Sequence, residues 1–131
     1  MDYISEYKQL KKIFDPDKKM ISVNESGLNI YNCRFESDFD LQSLAEETAQ
    51  TAKENNVSPD LNIRENFRFT YPVFVTGSSI PNNGAIICLH GLNERSWDKY
   101  LVWAKYLAEQ TGKGVILFPI AYHINRGPKD W

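Results

Sequence analysis

His90, Gly91, Leu92 and Asn93 follow five consecutive apolar residues, Ala85–Leu89, and precede an amphipathic stretch from Ser96 to Thr111. A buried strand that runs into His-Gly and then a turn can hold a backbone N–H fixed in space. Donors fixed in advance stabilise negative charge developing on a carbonyl oxygen, and losing one costs roughly 2.7–4 kcal/mol of transition-state stabilisation. Gly91, without a Cβ, is expected to turn the backbone sharply. Leu92 would then be the backbone donor.

A second set of polar residues follows another apolar run, Val115–Phe118. Open α/β sheets bind ligands beyond the carboxyl ends of their strands. Tyr122, His123, Asn125 and Arg126 are therefore candidate substrate-binding residues, together with Asn93. An ordinary polar loop is the plainer reading of 119–126. Arg95 either meets an anionic group or stays solvated, and solvation is favoured. Gly77–Ser78–Ser79–Ile80–Pro81 lacks the Gly-x-Ser-x-Gly spacing of a nucleophile elbow. Cys88 lies mid-strand, where a thiol is usually a small hydrophobe. No His/Cys/Asp/Glu spacing suggests a metal site, and no Gly-rich loop suggests a phosphate cradle, so no cofactor is expected.

The elements that must position these residues follow from periodicity. Tyr3, Ile4, Tyr7, Leu10 and Phe14 recur at helical spacing, which predicts a helix over Asp2–Phe14. Met20–Val23 and Leu28–Phe35 read as strands around the turn Asn24–Gly27. A second helix is expected from Asp38 or Asp40 to Asn55–Asn56. The alternation of Phe67, Phe69, Tyr71, Val73 and Val75 predicts a half-buried strand, and Pro72 suggests an edge or a bulge there. Gly77–Gly84 is a loop by composition. Ala85–Leu89 is apolar at every position, the pattern of a parallel interior strand covered on both faces. Trp97, Tyr100, Leu101, Ala104, Leu107 and Ala108 form one helix face, with Ser96 as the expected N-cap and Gly112 and Gly114 as stops. Trp97 and Trp103 read as packing residues. Residues 85–118 are thus a strand–helix–strand unit with parallel strands.

The chain has 131 residues, a net charge of −2 and a sequence pI near 5.7, which gives no electrostatic case for nucleic acid. Lys8, Lys11, Lys12, Lys18 and Lys19 are interleaved with Asp15 and Asp17 and read as a solvated face. Two cysteines, Cys33 and Cys88, make no disulfide framework. No signal-peptide pattern and no apolar run of membrane-spanning length is visible, so a cytoplasmic protein without membrane contact is the default expectation.

Ile86–Ile87–Cys88–Leu89–His90–Gly91–Leu92–Asn93, with Trp97 opening the helix and Gly114–Pro119 as the next strand, resembles the α/β-hydrolase superfamily. It looks closest to an uncharacterised bacterial group carrying an HGLNER-type loop. The resemblance covers residues 67–131. It implies an α/β fold: a partial hydrolase-like sheet at 85–118, preceded by an α+β extension over residues 1–66. It implies an oxyanion loop at His90–Gly91, with Leu92 as the donor and His90 bracing the loop. In that family the triad runs Ser, then Asp or Glu, then His. His90 and His123 both precede any elbow, so neither holds the triad position.

Two functions are open on this reading. In the first, the chain is the N-terminal part of a serine hydrolase acting on ester-like substrates, truncated before the nucleophile strand and inactive alone. In the hydrolase sheet order, Ala85–Leu89 lies between Val115–Phe118 and that strand. Its open edge is then expected to meet the missing segment, or to self-associate, unless Leu28–Phe35 folds over to fill the gap. In the second, the chain is a self-contained, non-catalytic binding or interaction module.

Overall fold

The computed structural model describes residues 2–37, 50 and 64–127. Helix α1 spans Tyr3–Ile13. Asp2 caps it by accepting the Ser5 N–H (2.9 Å) and the Ser5 hydroxyl (2.9 Å). Those bonds, the N–H first, hold the Asp2 carboxyl below the ordinary aspartate range. Strands β1 (Met20–Ser22) and β2 (Leu28–Glu36) form the antiparallel hairpin anticipated around Asn24–Gly27. Asn24 Oδ1 accepts from Ser26 and Leu28 N–H, and Gly27 sits at φ 88°, so side chain and glycine together close the turn.

Strand β3 (Arg68–Thr76) pairs antiparallel with β2 from Leu28↔Thr76 to Glu36↔Arg68. Strands β4 (Ala85–Leu89) and β5 (Gly114–Phe118) are adjacent and parallel, joined by helix α2 (Asp98–Thr111). The sheet order is β1-β2-β3-β5-β4. The segment before residue 67 therefore supplies α1 and two strands to the same sheet and core. The expected second helix between residues 38 and 56 lies outside the described residues, except for Gln50.

One apolar layer lies between the sheet and the two helices. Leu10 of α1 and Leu101, Ala104 and Ala108 of α2 meet Leu28, Ile30, Phe74, Val115 and Leu117 of the sheet in one buried cluster. The spacing of Trp97, Leu101, Ala104 and Ala108 puts them on one helix face, as their periodicity requires. Lys105 ties the helices at the surface, 3.3 Å from Glu6 of α1 and 3.1 Å from Glu109 of α2.

Four expectations need correction. Helix α2 starts at Asp98, not Ser96. Its N-cap is Trp97, which makes no side-chain capping bond, while Ser96 Oγ accepts the Asp98 N–H at 3.4 Å. Leu28–Phe35 does not fill the space beside β4, because β2 is held between β1 and β3.

Pro72 marks neither an edge strand nor a bulge in the β2 ladder, because β3 is central and its register with β2 runs unbroken through Asn32↔Pro72. The Asn32 N–H donates to Lys19 O on the β1 side, so Asn32↔Pro72 is a pair without mutual hydrogen bonds. The missing donor of Pro72 then faces β5, whose ladder with β3 registers only Val73 and Phe74.

Finally, β4 is covered on one face, not two. Ile86 and Cys88 pack toward the core, whereas Ile87 is 64% and Leu89 60% exposed. Both helices lie on the other side of the sheet, so the continuous apolar run is matched by only one layer of described residues.

Candidate functional site

The loops leaving the carboxyl ends of the parallel strands β4 and β5 lie side by side, and His90 links them. It is 5% exposed. Its Nε2 accepts the Ile120 N–H at 2.9 Å, which places the ring proton on Nδ1, where it faces Gly91 O at 2.9 Å. His90 also meets the edge of Trp97, with ring centroids 5.6 Å apart, and lies 5.3 Å from the ring of His123.

The β4–α2 loop is held from its other side by Tyr100. That residue reads as a plain member of the apolar helix face, yet its hydroxyl accepts the Gly91 N–H at 2.8 Å. Glu94 lies 3.5 Å from the same hydroxyl and pairs with Lys99. That pairing holds the Lys99 ammonium above its ordinary range. A lone aromatic one turn into a helix gives no sequence signal for this role, since the contact depends on how α2 returns over the loop.

The turn itself corrects the expectation for Gly91. The left-handed residue is Asn93, at φ 63°, and Gly91 has no positive φ. A Cβ on Gly91 would meet Tyr100 Oη at 3.6 Å and Glu94 Oε1 at 3.8 Å, ordinary contact distances. Asparagine tolerates the left-handed region well. Leu92 is 83% exposed, and its N–H has no acceptor among the described residues.

The loop after β5 uses its polar groups differently. Arg126 Nη1 donates to Pro119 O at 3.1 Å, and Nη2 donates to Asn66 O at 2.8 Å. Its guanidinium covers the Phe69 ring, 4.4 Å from the centroid, and burial pushes its pKa down. Asn66, which sequence reasoning missed, is 8% exposed and accepts the Tyr122 N–H through Oδ1 at 2.9 Å. It ends a short 3-10 turn, Arg64–Asn66. The His123 ring lies against its own loop, with Nδ1 2.8 Å from Ala121 O. Asn125 Nδ2 donates to Thr70 O at 2.7 Å and Thr70 Oγ1 at 3.2 Å. Arg126 thus ties the loop to the Arg64–Asn66 turn and to Phe69 of β3. Tyr122 and Ile124 adopt φ 67° and 54°.

A cleft of about 320 Å³ opens between these loops, the end of α1 and the sheet. Its apolar lining comes from Phe14, Pro16, Pro72, Trp97 and Ile124, and its polar lining includes Arg95, Ser96 and Asn125. Lys11 and Asp98 also line it and pair at 3.5 Å. Of the candidate residues, the cleft takes in Asn125 alone. His90, Gly91, Leu92, Asn93, Tyr122, His123 and Arg126 are not among its lining.

Burial raises the thiol pKa of both Cys33 and Cys88, the opposite of what an activated nucleophile needs. Among the described residues no group of His, Cys, Asp and Glu could hold a metal ion, and no helix is long and apolar enough to cross a membrane. No curated protein and no solved structure matches the chain. A family model does match, across residues 1–131, and the chain belongs to that family, a family of unknown function designated DUF6051.

Proposed function

We propose that the β4–α2 loop is the oxyanion loop of an acyl-transfer hydrolase acting on ester-like substrates, with the Leu92 N–H as one donor. The observation that carries this reading is the division of labour within the loop. Gly91 N–H is taken by Tyr100, Gly91 O lies against the His90 ring, and Glu94 is engaged by Lys99. The Leu92 N–H is left over on a braced turn at the carboxyl end of a parallel strand. A preorganised donor at such a place stabilises an oxyanion at no reorganisation cost. The sheet order also suits the reading, since β4 neighbours β5 and its other edge is unpaired among the described residues. The nucleophile and base would come from strands added at that edge, and the 131-residue chain alone would give background activity.

The test uses Leu92→Pro in the longest form of the protein that its gene encodes. The substitution deletes the N–H at the first central position of a turn, where proline is well tolerated. Hydrolysis of p-nitrophenyl esters should fall by about 100–1000-fold, the usual cost of one oxyanion donor. An unchanged rate, or no labelling of any serine by a fluorophosphonate, would remove the proposal.

A further inference from the structure

We infer that the cavity between α1 and α2 binds the quaternary ammonium group of a small soluble compound. The inference goes beyond the acyl-transfer reading and does not depend on it, since the cavity shares no lining residue with the two carboxyl-end loops. Its volume is about 460 Å³, within the range of small-ligand sites. Tyr3 and Glu6 line it from α1, and Val102, Trp103, Tyr106 and Leu107 line it from α2. Spacings of three and four residues bring each set to one helix face.

Aromatic rings make up half of this lining, and their open faces are the first observation. Tyr3, Trp103 and Tyr106 are all exposed. They border a gap rather than stack on one another. Tyr3 stacks on Tyr7, Trp103 stands perpendicular to Tyr100, and Tyr106 is in no ring contact among the described residues. The chain sets its own cations over the neighbouring rings: Lys11 Nζ is 5.8 Å from the Tyr7 centroid, and Lys99 Nζ is 5.1 Å from that of Tyr100. Among the described residues no cation covers Tyr3, Trp103 or Tyr106. Ring faces carry negative potential and attract cations, that of tryptophan most strongly.

Charge is the second observation. Glu6 is the one charged residue among those that line the cavity. Its Oε1 lies 3.3 Å from Lys105 Nζ, and its Oε2 has no partner among the described residues. Lys105 is shared with Glu109, so two carboxylates face one ammonium and the cluster beside the rings is net negative. A primary ammonium would bring three N–H donors to a lining that offers a single carboxylate. A quaternary ammonium has no donors to satisfy and is held by ring faces, which is what this cavity supplies. A protein partner is disfavoured by size, since a stable interface takes about 20–30 residues a side.

The test measures binding by calorimetry and by two-dimensional NMR on the purified protein. The probes are choline, its uncharged isostere 3,3-dimethyl-1-butanol, and ethanolamine, which keeps the charge but has no methyl groups. Choline should bind with a Kd of about 1 mM or tighter and shift the Trp103 indole and the Val102 methyl signals. The isostere and ethanolamine should each bind at least about tenfold more weakly. Trp103→Leu keeps an apolar side chain at an exposed position but removes the ring, and should reduce choline to the level of the isostere. Glu6→Gln should weaken choline by about fivefold, the worth of one nearby charge at a wet surface, and leave the isostere unchanged. If that variant melts early, the Trp103→Leu series decides alone. Choline that fails to bind, that binds no better than either control, or that ignores Trp103→Leu would overturn the inference. So would a dimer that Trp103→Leu dissolves, which would mean that a second copy covers the rings, or binding to phosphatidylcholine vesicles without binding of free choline. An inactive hydrolase assay would not touch it.

Discussion

The two loops at the carboxyl ends of β4 and β5 start from the same place in the fold and dispose of their polar groups in opposite ways. In the loop after β5, side chains turn inward: Arg126 and Asn125 donate to carbonyls of Pro119, Asn66 and Thr70, and Asn66 accepts from Tyr122. In the loop after β4, the bracing comes from outside, from Tyr100 on α2 and from the His90 ring beneath, while Leu92 is left exposed and its N–H has no acceptor among the described residues. A histidine in each sequence suggests similar roles. The difference teaches that a loop can be rigid without spending its own backbone donors, and that only such a loop has a donor to offer a ligand.

That contrast can be broken most sharply through catalysis. Besides the loss expected for Leu92→Pro, His123→Ala in the same ester assay should change the rate by less than about threefold, the scale of a substitution without a special role. Equal losses in both variants would mean that the loops do not divide the work.

Stability supplies the next test. Arg126→Ala removes two charge-assisted bonds and the cover over Phe69, and should destabilise by about 3 kcal/mol in urea unfolding. A value near zero would show that the second loop is not held by its own side chains. His90→Phe keeps the ring but leaves the Ile120 N–H without its acceptor, for about 1–3 kcal/mol. Amide exchange at Ile120 should speed up along with it, and unaltered exchange would sever the proposed link between the loops.

Tyr100→Phe should cost about 1 kcal/mol and free the Gly91 N–H. If the brace comes from α2, the exchange of Gly91 should rise while that of Arg126 stays put. The smallest effect lies in the strand below. With Cys33 replaced by serine, Cys88 should react with a disulfide reagent at pH 8 more slowly than glutathione, because burial raises its pKa and so lowers its thiolate fraction. Faster reaction would mean that the β4 strand opens in solution.

Much of this fold was legible in local patterns. The helix over Tyr3–Ile13, the hairpin at Asn24–Gly27 and the parallel unit β4–α2–β5 all follow from periodicities and turn residues within a few positions of each other. Those signals act over one element, so a single sequence carries them in full. The His90–Asn93 loop was visible for the same reason.

Tertiary structure decided what depends on partners far along the chain. Pro72 could enter a central strand because its bare nitrogen faces a stretch of sheet where β5 offers no ladder partner. The left-handed position fell to Asn93 rather than to Gly91, whose N–H is held by Tyr100 Oη from α2. The uncovered face of Ile87 and Leu89 depends on which side of the sheet both helices take, and a uniformly apolar strand does not specify that side. The cleft joins Phe14, Pro72, Arg95 and Asn125 only after folding. By itself the sequence determined the elements and the loop that could carry chemistry. The partners of each polar group, and hence which donors and acceptors stay free, were set by packing between segments whose separation no local pattern records.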